Sequence, residues 1–472
     1  MGVATEAGLE FIENKTFDEI RVGDTASLQR TLTERDIQLF AIMSGDVNPA
    51  HVDAEYAKKS MFHEVIAHGL WGGALISTVL GTQYPGPGTV YIDQTLHFSR
   101  PVTLGDTLTV SVTVKEKFER TKHVIFDCQC ANQDGRTVIR GLAEVLAPTE
   151  KVRLHRAQLP EVRLHDTAQR YRHLIERSKG LPAIDMAVVY PCHIESLGGA
   201  LSAAEAGLIR PVLIGPKGRI EAAARELGAD ISSYPLVEAD NARNAAQKAV
   251  DLARAGKVQA LMKGSLHTDA LMGAVVASDT GLRTDRRVSH VFFMDVPAYS
   301  KPLLITDAAI NIDPDLQAKR DIVQNAIEVA HALGIQMPKV ALLAAVETVD
   351  PKMRATTDAA SLCKMADRGQ ITGGLLDGPL ALDNAVSLSA AKTKGIISSV
   401  AGQADILVVP DLESGNILAK QLEYLADAAG AGIVVGARVP IVLTSRADAA
   451  PVRVASCALA LLLAAKAKTA AA

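Results

Sequence analysis

The chain has 472 residues, which is long for a single hydrophobic core, so two or three domains are expected. Its apolar content of 48% and charged content of 22% are typical of a globular protein. The formal net charge of −4 argues against nucleic acid or an anionic membrane as the main partner.

The N-terminal stretch "MGVATEAGLEFIENKTFDEI" is acidic and lacks an apolar core of signal-peptide length. The longest apolar run, "VASCALALLLAAKA" near the C-terminus, is shorter than a bilayer requires. The five cysteines show neither a CxxC pair nor the spacing of metal ligands. We therefore expect a cytoplasmic protein without a metal site or a membrane partner.

The first strong helix signal lies at residues 33–45. Thr33 and Asp36 have the spacing of a capping box, which satisfies free backbone N–H groups at a helix start. Apolar residues then recur on one face, and Gly45 suits a left-handed stop at the C-terminal end. The pattern predicts an amphipathic helix.

The sequence "SGDVNPAHVDAEYA" follows directly and places Asp46 and His51 on a short loop. Asn48 and Pro49 stiffen the backbone between them, because proline cannot continue a helix. A carboxylate and an imidazole held close together can polarise one water from two sides, as acid–base chemistry requires. The alternative is that Asp46 caps a turn and His51 is an ordinary surface histidine.

Residues 69–81, "GLWGGALISTVLG", form a second predicted helix. The segment is apolar on nearly every side and carries no charge, so we expect it to be enclosed rather than laid on a surface. His68 and Gly69 open this helix, and free N–H groups at a helix start can receive a developing oxyanion.

Residues 89–146 are predicted to supply that enclosure as an antiparallel sheet. "TLTVSVTV" alternates apolar and hydroxyl side chains, and "KHVIFDCQCANQDGRTVIRGLAEVLA" predicts two strands around a turn. Cys128 and Cys130 share a strand face with Val124 and Phe126, which favours core packing over reactivity. One buried helix wrapped by a curved sheet is the expected architecture.

The run "FAIMSGDVNPAHVDAEYA…IAHG" resembles the hydratase motif of MaoC-like (R)-specific enoyl-CoA hydratases, within a domain at residues 15–147. The resemblance implies a hot-dog fold, an α+β architecture in which a wrapped sheet holds one long helix. It implies that Asp46 and His51 activate the water that adds to the enoyl double bond. It also implies that the Gly69 backbone polarises the thioester carbonyl and that Asn48 orders the loop.

Two alternatives stay open within this domain. A thioesterase of the same fold competes with the hydratase, although the combination of "SGDxNPxH" and "AHG" fits hydration better. Trp71, the single tryptophan, either lines the acyl pocket or fills the core.

Residues 148–180 are basic, polar and weakly patterned, and we predict a linker that becomes a helix at its end.

Across residues 181–468, short apolar strands alternate with alanine-rich helices. The strand candidates are "AIDMAVVYP", "RPVLIGP", "VQALMKG", "KPLLITD", "KVALLAA", "ADILVVPD", "AGIVVGA" and "VPIVLTS". This alternation is typical of a largely parallel sheet covered by helices.

Polar residues follow several of these strands, at positions where open α/β sheets usually bind ligands. The candidate phosphate-binding residues at these positions are Lys263, Ser265, Thr268, Ser414, Gly415, Asn416, Ser445 and Arg446. Arg283, in the basic stretch "GLRTDRRVSHVFF", is a further candidate. Taken singly, each strand-end residue is better explained by ordinary loop chemistry, and surface solvation explains Arg283 equally well. The chain has neither a Walker motif nor a GxGxxG fingerprint.

Together, "GPLALDNAVS", "VAGQADILVVPDLESGNILAKQL" and "TSRAD" resemble the phosphate acetyl/butyryl transferase family across residues 170–468. The resemblance implies an α/β domain of two subdomains, related to isocitrate/isopropylmalate dehydrogenases, with the active site in the cleft between them. It implies acyl transfer between coenzyme A and inorganic phosphate, without a metal or redox cofactor, by a dimer or larger assembly. Ser445 would hydrogen-bond near the thiol, and Arg446 would hold phosphate or the acyl carbonyl.

The resemblance is incomplete at one position. Acetyl-specific members have an aspartate several residues beyond the Ser-Arg pair, proposed as the base that deprotonates coenzyme A. This chain has Asp448 close to the pair and no later carboxylate. Asp448 either takes that role from a different spacing or caps the final helix, so the acyl specificity and the base both stay open.

The whole chain is therefore predicted to be a bifunctional enzyme that hydrates enoyl-CoA and transfers acyl groups between coenzyme A and phosphate. We expect a homo-oligomer that needs no cofactor. The alternative is a phosphate butyryltransferase whose hot-dog domain only binds or oligomerises. A decarboxylating dehydrogenase is disfavoured, because the sequence lacks a recognisable dinucleotide motif or metal-carboxylate cluster.

Overall fold

The computed structural model describes residues 11–157, 159, 162, 164, 171–444 and 448–471. The chain divides into two units, Met1–Leu164 and His165–Ala472, and each has its own hydrophobic core. The segment predicted as a linker contains a short strand of the first unit and, at its end, a helix of the second.

The first unit is built on antiparallel strands. Its strands are β1 (Phe11–Glu13), β2 (Thr25–Thr31), β3 (Val90–Gln94), β4 (His97–Phe98), β5 (Thr107–Phe118), β6 (His123–Ala131), β7 (Thr137–Leu146) and β8 (Arg153–His155). Its helices are α1 (Glu34–Ser44), α2 (Pro49–Val52), α3 (Ala54–Lys59) and α4 (Gly69–Thr82). The main sheet has the order β2-β5-β6-β7-β3, with β4 also beside β7, and β1 pairs with β8 separately.

The core of this unit lies between the sheet and α4. Alternate side chains of β5 and β6 point inward, and Cys128 and Cys130 are fully buried among them, as the sequence predicted. Gly72 lets α4 approach the sheet closely, since a Cβ there would stand 2.4 Å from the Ile139 Cδ1 atom. The helix is not enclosed on every side, because the sheet covers one face only: Ile76 is buried while Leu70 is 60% exposed. The prediction of full enclosure is therefore wrong for this chain.

The second unit contains an eleven-stranded sheet covered by helices. Its strands are β9 (Ile184–Val189), β10 (Ile209–Gly215), β11 (Leu236–Glu238), β12 (Ala260–Lys263), β13 (Ser289–Asp295), β14 (Leu303–Thr306), β15 (Lys339–Leu343), β16 (Leu375–Leu380), β17 (Ile406–Val408), β18 (Ala429–Val435) and β19 (Ile441–Val442). Its helices are α5 (Arg172–Ser178), α6 (Ile194–Glu205), α7 (Lys217–Leu227), α8 (Ala242–Arg254), α9 (Thr268–Val275), α10 (Leu316–Ala332), α11 (Arg354–Asp367), α12 (Leu382–Val386), α13 (Leu388–Thr393), α14 (Leu412–Leu425) and α15 (Ala450–Ala471).

The strand order is β11-β10-β9-β12-β19-β18-β13-β14-β17-β15-β16. The strands from β11 to β19 are parallel to one another, and so are those from β14 to β16. Three successive antiparallel pairings, through β18 and β13, separate the two blocks. The carboxyl ends of the two blocks consequently lie at opposite edges of the sheet.

The apolar C-terminal run belongs to α15, which is longer than the sequence analysis allowed. Within it, Ala450–Lys468 is long and apolar enough to cross a membrane, but more than half of this segment is buried inside the protein. Residues 457–461 are at most 1% exposed and pack in the main core, as in a core helix.

Candidate active sites

The loop after α1 has the ordered geometry that its sequence indicated. Gly45 ends the helix with a φ of 75°. The Asp46 carboxylate accepts a hydrogen bond from the Asn48 backbone N–H at 3.2 Å, and the Asn48 side chain accepts one from the Ala50 N–H at 3.1 Å. Asn48 thereby caps α2 and fixes the turn that carries both ionisable residues.

His51 is held in one tautomer. Its Nδ1 atom lies 2.9 Å from the carbonyl oxygen of Ile66, and because a carbonyl only accepts, Nδ1 carries the proton. The lone pair is then on Nε2, which is the arrangement of a general base.

His68 supports the same loop from the start of α4. Its Nε2 atom donates to the backbone carbonyl of Asp46 at 2.9 Å, and its ring lies 4.0 Å from the His51 ring. It is 3% exposed, and its Nδ1 atom has no hydrogen-bond partner among the described residues. The sequence analysis placed His68 only at the helix start, because a contact across this separation leaves no local signal.

The imidazoles of His51 and His68 and the carboxylate of Asp46 each offer one ligand atom, and these three atoms lie within 4.8 Å of one another. Such a set has the ligand types of a transition-metal site. It also has the geometry in which a base and a carboxylate share one water.

A cavity of about 350 Å³ adjoins this cluster. It is lined by His51, His68 and the helix start at Gly69, together with Trp71 and Phe98, among other residues. Trp71 is 7% exposed, lines this cavity and also packs in the hydrophobic core, so its core role is confirmed and its role in an acyl pocket stays a prediction. Asp46 lies on the exposed side of the cluster rather than in the cavity lining.

The second candidate site lies at the carboxyl ends of β9, β12 and β19, which are neighbours in the sheet. A cavity of about 220 Å³ opens there, lined by His193, Glu195, Ser196, Gly264, Ser265 and Arg453. Gly264 permits the close approach of two strand ends, since a Cβ there would lie 2.5 Å from the Val189 carbonyl oxygen.

Two buried cations hold the end of β19. Lys263 is 4% exposed and donates from Nζ to the Thr444 carbonyl at 3.3 Å. Arg453 is 2% exposed and donates from Nη1 to the Thr444 hydroxyl at 2.7 Å. Lys263 therefore supports the chain beside the cavity instead of lining it, whereas Arg453, which the sequence analysis missed, does line it.

The residues that follow Thr444 were the strongest sequence candidates. Ser445 and Arg446 lie outside the described residues. Asp448 is half-buried before α15. Burial lowers the pKa of the Arg453 guanidinium, and the negative charges of Asp448 and Glu195 oppose that shift, so both carboxylates lie near this cation.

Other predicted residues have different surroundings. Ser265 lies in the cavity lining with its hydroxyl 3.0 Å from that of Ser196, while Thr268 begins α9 and is half-buried outside the lining. Arg283 is exposed, and its backbone bridges to Ala437.

The start of α14 does not offer the free N–H groups that were expected for anion binding. The Asp411 carboxylate accepts from both the backbone N–H and the hydroxyl of Ser414 at 2.8 Å. Asn416 donates to the Ala308 carbonyl at 3.3 Å, and Gly415 is buried. These residues follow β17, so they lie at the opposite sheet edge from Ser265.

Two family models match the chain. The model described as phosphate acetyl/butaryl transferase matches residues 237–461, and the model described as a MaoC like domain matches residues 21–129.

Relatives match the larger region. A phosphate acetyltransferase from Rhizobium meliloti is 57% identical over 302 residues, which is 64% of this chain and 95% of that protein. A phosphate butyryltransferase from Clostridium acetobutylicum is 45% identical over 258 residues, covering 55% of this chain and 86% of that protein. The crystal structure of a branched-chain phosphotransacylase from Enterococcus faecalis is 32% identical with a TM-score of 0.53, covering 60% of this chain and 99% of that chain.

Proposed function

Since the chain belongs to the phosphate acetyl/butyryl transferase family and carries a MaoC-like domain over residues 21–129, we propose that it is a bifunctional enzyme of acyl-coenzyme A thioesters. The C-terminal unit transfers an acyl group between coenzyme A and inorganic phosphate. The N-terminal unit hydrates enoyl-CoA. Both families are those that the sequence motifs resemble.

One observation supports the transferase most strongly: the 220 Å³ cavity is lined by Arg453, Ser196 and Ser265 and lies beside Thr444, the residue before the Ser-Arg pair. A guanidinium and two hydroxyls are suited to an anionic oxygen ligand. A thiolate is already a good leaving group, so the enzyme needs mainly to orient phosphate and to neutralise the tetrahedral oxyanion. We assign phosphate to this cavity, with Arg446 as a further cation and Ser445 near the thiol.

The hydratase proposal depends on the fixed tautomer of His51. In our assignment His51 Nε2 and the Asp46 carboxylate bind the water, and Nε2 takes its proton as oxygen attacks the β-carbon of the enoyl group. Negative charge then develops on the thioester oxygen, which the Gly69 backbone N–H stabilises at the start of α4. The proton is returned to the α-carbon.

The transferase is tested by measuring coenzyme A release from acetyl-CoA and butyryl-CoA with and without phosphate. We expect phosphate-dependent release that falls at least about 100-fold in Ser445→Ala and Arg446→Ala. Arg225→Ala is the matched control, since Arg225 is exposed in the last turn of α7, which ends at the opposite edge of the sheet. Release that does not depend on phosphate would contradict the proposal.

The hydratase is tested by the hydration of crotonyl-CoA. Asp46→Asn and His51→Gln should each lower the rate about 100-fold or more, because each removes a group that positions or deprotonates the water. Asp134→Asn, in the exposed turn between β6 and β7, is the control. Absence of hydration in the unaltered chain would favour the alternative, a non-catalytic hot-dog module.

We further propose that each parallel block of the large sheet is the centre of one subdomain. No cofactor is assigned to either reaction, and a cytoplasmic location fits the substrates.

We also propose a homo-oligomer. It would remove from water the apolar stripe of Ile417, Tyr424 and Leu425 on α14, which are 66%, 72% and 80% exposed. Light scattering of the purified chain tests this: a monomer with the mass of one chain would contradict it.

A further inference from the structure

The proposed transferase lacks an assigned base for the thiol of coenzyme A. Even a cysteine thiol, with a pKa of about 8.5, is only a few per cent thiolate at neutral pH, and attack of a thiol on an acyl phosphate requires deprotonation. The sequence beyond Asp448 contains no carboxylate. The negative charge of Asp448 acts on the buried Arg453 guanidinium.

The same cavity contains a histidine–carboxylate pair that the reaction has not used. His193 follows β9 at the N-cap of α6, and its Nδ1 atom lies 2.7 Å from a carboxylate oxygen of Glu195. Nδ1 therefore donates to the carboxylate, and the lone pair is on Nε2. The His193 side chain is 70% exposed, so Nε2 is accessible to a substrate entering from solvent.

The backbone of His193 is anchored to the cavity floor. The Ser196 hydroxyl donates to the His193 carbonyl at 3.0 Å and lies 3.0 Å from the Ser265 hydroxyl. Ser265 belongs to the loop after β12, and β12 pairs with β19, the strand that leads to the Ser-Arg pair. His193 and Glu195 thus share the lining of the 220 Å³ cavity with Ser265 and with Arg453, whose guanidinium bonds the Thr444 hydroxyl just after β19.

Glu195 supplies the ionised carboxylate of the histidine–carboxylate pair. The hydrogen bond from His193 holds the pKa of Glu195 below its usual range, and the positive charge of Arg453 acts in the same direction. An ionised carboxylate beside an imidazole stabilises the imidazolium that forms when the ring accepts a proton. Among the described residues, the Arg453 guanidinium on α15 acts on Glu195, and Asp448, just before α15, acts in turn on Arg453.

We propose that His193, oriented by Glu195, is the general base that deprotonates the thiol of coenzyme A. His193 Nε2 takes the thiol proton as sulfur attacks the acyl phosphate carbonyl. The new carbon–sulfur bond replaces the carbon–oxygen bond, whose electron pair leaves with phosphate. In the opposite direction the imidazolium returns the proton to the departing thiolate. This inference rests on the proposed transferase activity.

The test is the synthesis of acetyl-CoA from acetyl phosphate, or of butyryl-CoA from butyryl phosphate, with coenzyme A and the full-length chain, followed from pH 6.5 to 9.5 with the acyl group that the unaltered chain prefers. At pH 7, His193→Gln should lower kcat/KM for coenzyme A about 100-fold and Glu195→Gln about ten-fold. The loss of kcat/KM in His193→Gln, relative to the unaltered chain, should become smaller as the pH rises toward and above the thiol pKa, because the thiolate then forms without a base. His123→Gln is the matched control, since His123 bonds Glu144 at 2.6 Å in the first unit.

Three results would overturn the inference in distinguishable ways. If the unaltered chain is active and His193→Gln stays within two-fold of it at pH 7, His193 is not the base. If the loss of kcat/KM is the same at every pH, His193 has only a structural role. If the unaltered chain makes neither acetyl-CoA nor butyryl-CoA, the transferase proposal fails together with this one.

Discussion

The Nε2 atom of His68 donates to the backbone carbonyl of Asp46 at 2.9 Å and thereby joins the start of α4 to the loop after α1. The bond between His51 Nδ1 and the Ile66 carbonyl joins the same two segments of the hydratase motif. The bond from His68 is the one that reaches Asp46 itself, so we expect it to help position that carboxylate.

His68→Leu should lower crotonyl-CoA hydration ten-fold or more, a loss equivalent to about 1.4 kcal/mol of transition-state stabilisation. His68→Gln keeps a side-chain N–H donor and should retain most of the activity. The hydration rates of both variants give the comparison, with thermal unfolding to confirm that each is folded. Equal activity of the Leu and Gln variants would show that the bond to Asp46 does not position the loop.

Gly264→Ala should destabilise the second unit by about 1–3 kcal/mol and abolish acyl transfer. A Cβ at this position would meet the carbonyl oxygens of Val189 and Tyr190 at 2.5 and 2.6 Å, so the backbone itself must move. Gly218→Ala in α7 is the control, since nothing lies within 4 Å of its Cβ position and alanine favours a helix. Denaturant unfolding of both variants measures the difference, and a neutral Gly264→Ala would contradict the packing.

Arg453→Met should raise the KM for phosphate at least about ten-fold, because the variant removes a buried guanidinium from the cavity lining. The exposed Arg225→Met serves as its control. Phosphate titrations of coenzyme A release measure the change. An unchanged KM for phosphate in a folded Arg453→Met variant would place phosphate elsewhere.

The stability of the second unit should fall as the pH drops below about 6.5, the usual pKa of an unfolded histidine. Burial lowers the pKa of His290 to about 3, so between these values the unfolded chain binds a proton that the folded chain does not. Each such proton contributes a slope of about 1.4 kcal/mol per pH unit. His290→Gln cannot titrate, so its melting temperature should fall less between pH 6.5 and 4.5. Identical pH profiles by calorimetry would contradict this assignment.

Local patterns predicted much of the fold. The capping box at Thr33 and the stop at Gly45 form as expected, and all eight strand candidates of the second unit match strands. Three further strands were missed. β13 contains the polar residues Ser289 and His290, which are buried in the sheet, and β16 contains a Gly-Pro pair that normally argues against a strand.

Long-range pairing was not predictable in the same way. The sequence does not show whether neighbouring strands pair in parallel or antiparallel, so the reversal through β18 and β13 could not be predicted. For that reason the residues around Ser414 were grouped with Ser265, although the two lie at opposite edges of the large sheet. Likewise, Asp46 and His51 were found because they share one loop. His68 and Arg453 belong to their sites because each bonds a residue on another element. Such contacts produce no recognisable sequence motif.

The most direct test of a bifunctional enzyme measures both reactions on one preparation of the intact chain, its His51→Gln variant and its Arg446→Ala variant. We predict that the intact chain hydrates crotonyl-CoA and releases coenzyme A from acetyl-CoA or butyryl-CoA only with phosphate. His51→Gln should lose only hydration, and Arg446→Ala should lose only phosphate-dependent release. Loss of both reactions in either variant, or absence of either reaction in the intact chain, would contradict two independent active sites.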